Sequence, residues 1–250
     1  MIDNRIDEYQ QAYMADYGFE RVMVHYRRKL LMQRLADIRP RIVVEIGCGS
    51  ELLCEAWSHA GHEVNHWLIV EPGDEFAAIA RKSTLPGVRV IQDYFENARD
   101  EILKTLPEKP DLVICAGLLH EVPSADAMLQ AIRSIMGPSS ILHVNVPNAN
   151  SLHRRIAQAM GLIEDAKALS AQNRKLFQRH VYDMADLQQE LSANDFDIRN
   201  SGGHLIKPFT HAQMEAIAGV IGSDILDGLF KLGQDIPALA SEIYVEAKLK

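Results

Sequence analysis

Cysteine is scarce in this 250-residue chain: only Cys48, Cys54 and Cys115 occur, an odd number with no CxxC pair. That argues against a disulfide framework or a cysteine zinc site and favours a reducing compartment. Long apolar runs are missing too, since none approaches the roughly 18 residues of a membrane span. Met1 to Glu8 carry acids where a secretory leader needs a basic start, so a cytoplasmic protein with no membrane partner is expected. Positive charge is in short supply: 26 Lys plus Arg stand against 34 Asp plus Glu, for a formal net charge of −8. A partner held mainly by its phosphates normally leaves a basic excess, so no nucleic-acid partner is expected. What is present is ordinary globular composition, 47% hydrophobic and 24% charged, which rules out disordered and low-complexity classes.

From residue 41 onward, β-branched runs alternate with helix-length amphipathic segments. Ile42–Ile46, Trp67–Glu71, Val88–Gln92, Asp111–Cys115 and Ile141–Val146 read as strands. Helical patterns fall near Glu51–His59, Asp74–Lys82, Phe95–Leu106 and Ser124–Met136. Strand and helix in repeated alternation predict a parallel sheet covered on both faces. A helix over Phe19–Ile38 precedes the first strand, and Pro40 ends it. After the fifth strand, residues 147–180 are polar and helical. A helix near Asp183–Ala193 and a strand near Phe196–Asn200 then return to the sheet. Residues 202–240 carry two more helical patterns, His211–Ile221 and Asp224–Leu232, before a final strand at Glu242–Leu249. The expected architecture is therefore α/β: a Rossmann-like, doubly wound, mostly parallel seven-stranded sheet in one domain, 1–250. Residues 1–40 form a helical arm, 41–146 the ligand-binding half, and 147–180 and 202–240 lid insertions. Residues 181–201 and 241–250 complete the sheet. Both insertions leave from C-terminal strand ends, the edge where open parallel sheets bind ligands.

The strongest chemical signal is Glu45-Ile46-Gly47-Cys48-Gly49-Ser50-Glu51, a strand entering a Gly-x-Gly turn that opens a helix. Glycines there allow a tight turn and let a ligand lie against bare backbone. Glu71 at the tip of the second strand is placed to accept both hydroxyls of a ribose. A nicotinamide cofactor with its pyrophosphate asks for GxGxxG, but Leu52 stands at the third glycine position and Glu51 would repel phosphate. Glu45 suits a cationic ligand bearing an amino group.

These residues resemble the class I S-adenosylmethionine-dependent methyltransferases. Glu45 to Gly49 match the first motif of that family and Glu71 the second. Gln92-Asp93-Tyr94 match the third, at the adenine, and Ala116 to Glu121 the fourth, beside the methionine portion and the acceptor. The likeness spans about residues 41–146 and departs where Glu51 replaces the usual third glycine. It implies S-adenosylmethionine as cofactor, with S-adenosylhomocysteine as product. It also implies cofactor contacts at Glu45, Gly47, Cys48, Gly49, Glu71, Pro72, Asp93, Tyr94 and Ala116. In the arm, Tyr17 and Arg27 close over the cofactor, Arg27 pairing with its carboxylate, or the arm tyrosines simply pack onto the core.

A general base helps when the methylated atom is a hydroxyl, and His120, four residues past Ala116, is the candidate; its alternative is a packed histidine. No Asp-Pro-Pro-Tyr or Asn-Pro-Pro-Tyr element and no Pro-Cys follows the fourth strand, which argues against nucleobase methylation. Val146-Pro147-Asn148 with Ser151-Leu152-His153-Arg154 resembles a subgroup of small-molecule methyltransferases associated with sugar or secondary-metabolite modification. Asn148, His153, Arg154, His180, Tyr182 and Lys207 are candidates for a polar small-molecule substrate, against loop capping and a solvated face. His59, His62 and His66 lie on the edge away from the glycine loop without acidic partners, so no metal is expected. The expected activity is methyl transfer to a hydroxyl, or secondarily an amine, of a small polar metabolite. A NAD-dependent oxidoreductase and a non-catalytic binding module are the alternatives; the first lacks its third glycine and a Tyr-x-x-x-Lys pair.

Overall fold

The structure, a computed structural model, describes residues 18–169 and 178–250. Helix α1 (Glu20–Ile38) leads into β1 (Ile42–Ile46), α2 (Leu53–His59), β2 (His66–Val70) and α3 (Asp74–Ala80). Strand β3 (Val88–Ile91), a 3₁₀ turn at Phe95–Asn97, α4 (Arg99–Thr105), β4 (Leu112–Ala116), α5 (Ala125–Ile135) and β5 (Ile141–Pro147) follow. The remainder comprises α6 (Leu152–Ala159), α7 (Met184–Ala193), β6 (Phe196–His204), α8 (His211–Asp235) and β7 (Glu242–Leu249). The seven strands form one sheet in the order β3-β2-β1-β4-β5-β7-β6. β1 to β5 pair in parallel, while β7 runs antiparallel to both β5 and β6.

The strands are apolar on both faces because helices cover both. Along β1 the side chains alternate: Ile42, Val44 and Ile46 enter the layer with Ile102, Leu129 and Leu187. Val43 enters the opposite layer with Leu35, Leu53 and Trp67. Helix α1 joins that second layer through Leu31 and Leu35. Its Phe19, Met23, Tyr26 and Leu30 form a third cluster with Met214 and Phe230 of α8. Helix α1 is thus a packed part of the body, and Tyr26 stacks on Phe230 at 5.2 Å between ring centroids.

Three boundaries differ from the sequence reading. The expected helix over Phe95–Leu106 is a 3₁₀ turn followed by α4. Strand β6 runs on to His204, so the second excursion starts at 205 instead of 202. Glycines are weak strand formers, but here close approach requires them: a side chain at Gly202 would meet the Tyr244 ring at 2.8 Å, and one at Gly203 would meet Ala240 at 2.7 Å. The two helical patterns of that excursion form one element, kinked at Gly222 where φ is 67°. Tyr9, Tyr13 and Tyr17 lie outside the described residues.

The order of strands decides where a ligand can sit. β1 lies between β2 and β4, so the chain leaves it in opposite directions across the sheet and opens a crevice at the C-terminal edge. The C-terminal ends of β5 and β6 share that edge. Because β7 is antiparallel, its first residue, Glu242, is there as well.

Candidate functional site

The glycine loop is held from below by the Gly47 N–H donating to the Val70 carbonyl at 2.9 Å. Gly47 and Gly49 have φ of 73° and 62°, a left-handed backbone that side-chain-bearing residues rarely adopt. Arg28 of α1 donates to the Leu52 carbonyl at 2.8 Å and to the Glu51 carbonyl, clamping the loop from above. Glu71 is buried, and its two carboxylate oxygens accept from the Gly73 N–H at 2.8 Å and the Cys48 N–H at 3.2 Å. Burial raises its pKa, and these two backbone bonds oppose the shift. Glu45 accepts from the Trp67 indole at 2.8 Å; burial pushes its carboxyl up to about 7, against the pull of that bond. The two acids stay beside backbone N–H and indole donors, an environment that repels phosphate and suits hydroxyls and amines. Burial pushes the Cys48 thiol well up, so Cys48 is a small loop residue and not a nucleophile.

A cavity of about 930 Å³ opens from this loop and runs along the strand edge to α6 and the segment after β6. Glu45, Gly47, Cys48, Gly49, Glu71, Pro72, Tyr94, Ala116 and Arg27 all line it. His120 lines it at the β4 tip, and Asn148, His153, Arg154, His180 and Lys207 line its far end. His120 is buried; its Nε2 is 3.4 Å from Glu121 Oε1 and its Nδ1 has no hydrogen-bond partner among the described residues. The His120 carbonyl accepts from the Arg179 and His180 N–H groups, tying the lid return to the β4 tip.

Several expected positions turn out otherwise. Asp93 does not line the cavity: its carboxylate accepts from the Tyr94 N–H at 2.7 Å and the Asn97 side chain at 3.2 Å, and Tyr94 faces the cavity instead. Tyr182 sits in the core with Leu187 and Leu191, so it is a packing residue. Asn148 spends its amide on the Ala238 and Ala240 carbonyls, and Arg154 donates to the Ala166 and Ala168 carbonyls. Both fasten loops. Tyr17 is outside the described residues. Arg27, expected to meet a cofactor carboxylate, makes a fork on Glu242 with bonds of 2.9 and 2.6 Å. It also lies against Gly117, where a side chain would come within 2.9 Å of its Nη1. Burial alone would raise the Glu242 carboxyl, but the Arg27 charge and hydrogen bond hold it down at about 2.

Glu242 and Arg28 escaped the sequence reading. The only signal for Glu242 was its place at the start of a strand, and that helps only once β7 is known to run backwards. Arg28 was one of five Lys and Arg residues on an arm helix, with nothing local to link it to residues 51 and 52. Among the described residues no cluster of three or more metal-ligating side chains occurs, and His62 stacks on Trp57 with ring centroids 3.7 Å apart. No described helix is long and apolar enough to cross a membrane.

Comparison with known proteins agrees with this geometry. A family model described as a methyltransferase domain matches residues 19–201. A ubiquinone biosynthesis O-methyltransferase of Saccharophagus degradans is 27% identical over 116 residues, covering 46% of this chain and 47% of that protein. The chain spans about half the length of the curated relatives it matches. A plantazolicin methyltransferase, solved with a triazolic desmethylPZN analogue and SAH, superposes with a TM-score of 0.59 at 14% identity, over 100% of this chain and 97% of that one. The 1,6-didemethyltoxoflavin-N1-methyltransferase of Burkholderia thailandensis gives 0.54 at 15%, over 90% and 76%. The matched range takes in the glycine loop, both buried acids Glu45 and Glu71, and the sheet from β1 to β5. The chain belongs to the methyltransferase domain family, the S-adenosylmethionine-dependent enzymes of class I fold.

Proposed function

We propose that this protein transfers a methyl group from S-adenosylmethionine to a hydroxyl of a small polar molecule, an amine being the second choice of acceptor. The observation that carries this reading is the single cavity joining the glycine loop and Glu71 to His120 and the lid residues. Its 930 Å³ is at the upper end of the roughly 300–1,000 Å³ range of small-ligand sites. That leaves room for an acceptor beside a nucleoside.

The cofactor supplies an electrophilic methyl on a sulfonium, which needs no further activation. The chain's own residues position and deprotonate. Glu71, each oxygen already taking one backbone N–H, keeps lone pairs for a ribose diol. Glu45 favours a neighbouring amino group. His120 lines the cavity at the β4 tip beside Glu121, with Nδ1 unpartnered among the described residues, and is the group we assign to take the proton of an acceptor hydroxyl. Burial of the site by α1, α6 and the segment after β6 keeps water from the methyl group. A cavity of this size suits a small-molecule acceptor, and the three free, buried cysteines accord with a reducing cytoplasm.

Calorimetric titration with S-adenosylmethionine, S-adenosylhomocysteine and NAD tests the cofactor assignment. Binding of the first two and silence from NAD is expected; NAD binding alone overturns the reading and favours a hydride-transfer enzyme. A radiolabelled methyl-transfer screen over paired alcohols and amines then tests the acceptor atom, and transfer only to the amines would reverse that part.

A further inference from the structure

The lid end of the cavity contains a charge that its surroundings do not match. Lys207 lines the cavity and is only 2% exposed. It follows β6 on a segment pinned to α8, where the Ile206 N–H donates to the Leu229 carbonyl at 2.9 Å. Its Nζ lies 2.8 Å from Nδ1 of His211. His211 Nε2 in turn lies 3.2 Å from Glu20 Oε2, so the ring proton belongs on Nε2 and Nδ1 accepts from the lysine. One of three ammonium protons is thereby used.

No carboxylate among the described residues is within ion-pair distance of that ammonium. Glu242 faces it from β7 but is held in the Arg27 fork. Glu20 faces it from α1 and is shared between Arg27 and His211. From α6, Arg154 adds further positive charge, and His153 brings a buried Nδ1 with no partner among the described residues. Burial first, then the positive charges of Lys207 and Arg154, push His153 far down in pKa, so its ring is neutral and carries one N–H to donate. A buried ammonium beside an unsatisfied imidazole asks for an anion, because a buried charge is retained only when paired.

We propose that Lys207 and His153 form an anion subsite at the lid end of the cavity, and that the methyl acceptor carries a carboxylate docked there. The inference rests on the methyl-transfer reading and adds to it the class of substrate: a small hydroxy acid. The two ends of the cavity then select opposite charges. The acids Glu45 and Glu71 hold the cofactor end, and Lys207 holds the acceptor by a group remote from the reacting hydroxyl, which fixes its orientation.

The test titrates hydroxy acids and their matched primary amides (glycolate, salicylate and 4-hydroxybenzoate with their amides) into the S-adenosylhomocysteine complex of the full chain. At least one acid is expected to bind about tenfold or more tightly than its amide. That advantage should vanish in Lys207→Met and in Lys207→Gln while both variants keep wild-type affinity for S-adenosylhomocysteine, which certifies their folding. Burial holds Lys207 down to about 8, so acid affinity should be flat between the ligand's own titration at about pH 4 and about pH 8, and weaken above it as the ammonium is lost. Equal affinity of acids and amides, no binding of either, or an advantage that survives both substitutions overturns the subsite. Failure to bind S-adenosylhomocysteine at all is a different result, and it overturns the methyl-transfer reading instead.

Discussion

The two ends of the cavity are built on opposite plans. At the glycine-loop end every buried acid already has donors from the chain: Trp67 for Glu45, and the Cys48 and Gly73 backbone for Glu71. From the join at the β4 tip to the lid end, His120, His153 and Lys207 keep polar atoms that the described residues leave wholly or partly unmatched. Native proteins seldom tolerate buried polar groups without partners unless a ligand or water supplies them. The first end is pre-organised for a fixed ligand and costs little to maintain when empty. The second is specific only when filled, and this is the end that changes between enzymes sharing a fold.

The largest effect should come from the join between the two. His120→Gln keeps a polar side chain but removes the base, so methyl transfer to a hydroxyl should fall by roughly 10²–10⁴-fold. Affinity for S-adenosylhomocysteine should stay the same, as equilibrium titration would show. An unchanged turnover rate would reduce His120 to a packed histidine. Arg27→Met comes next and acts on the frame. It strips Glu242, 2% exposed, of its forked ion-pair partner and leaves His204 at 3.5 Å and the charge of Lys207 facing it; breaking a buried pair typically costs about 3–5 kcal/mol. Denaturant unfolding at neutral pH measures it. The pH dependence has a definite sign. The Glu242 pKa is depressed from 4.5 to about 2, so its contribution is full above about pH 4.5 and is lost as pH falls towards 2. The variant should lack that acid-side loss.

The contrast also explains what the sequence could disclose. All seven strands and the buried acid-Gly-x-Gly turn were legible because each is local: alternation within five residues, or a turn whose glycines have only one geometric use. The sequence reading includes Lys207 as a substrate candidate but misses Glu242: both are far from that motif, and their placement at its edge depends on β7 running antiparallel and β6 running parallel to β5. Neither fact is carried by any short window of residues. Asp93 and Tyr182 lie off the cavity for a related reason. Sequence spacing brought them to the correct edge, but a turn N–H holds the Asp93 carboxylate and the core takes the Tyr182 ring, and spacing cannot see such competition. Gly202 and Gly203 misled in the same way, since packing against Tyr244 and Ala240 overrode their weak strand propensity.

At the pre-organised end, Glu71→Ala removes a carboxylate placed for two hydroxyls. Charge-assisted hydrogen bonds contribute about 1.5–3 kcal/mol each, so affinity for S-adenosylhomocysteine should drop on the order of 100-fold. Because Glu71 also ties down the Cys48 and Gly73 N–H groups, Glu71→Gln is the sharper control: it keeps one acceptor oxygen and should lose less. If both variants bind as the wild type does, Glu71 only shapes the loop.

Arg28 offers the smallest and most discriminating effect. In this chain Glu51 stands in the glycine loop just before α2, and Arg28 bonds the Glu51 and Leu52 carbonyls while lying 3.8 Å from the Glu51 carboxylate. An arm residue thus fixes a loop that the backbone would otherwise hold alone. Arg28→Gln should weaken cofactor binding by about tenfold, close to the loss of one charged hydrogen bond, and leave the maximal rate at saturating cofactor intact. The loss should shrink in Arg28→Lys, which restores a donor to one carbonyl but cannot span both. A fall in the maximal rate with unchanged cofactor affinity would move Arg28 from the pre-organised end to the acceptor end, and the division between the two ends would have to be redrawn.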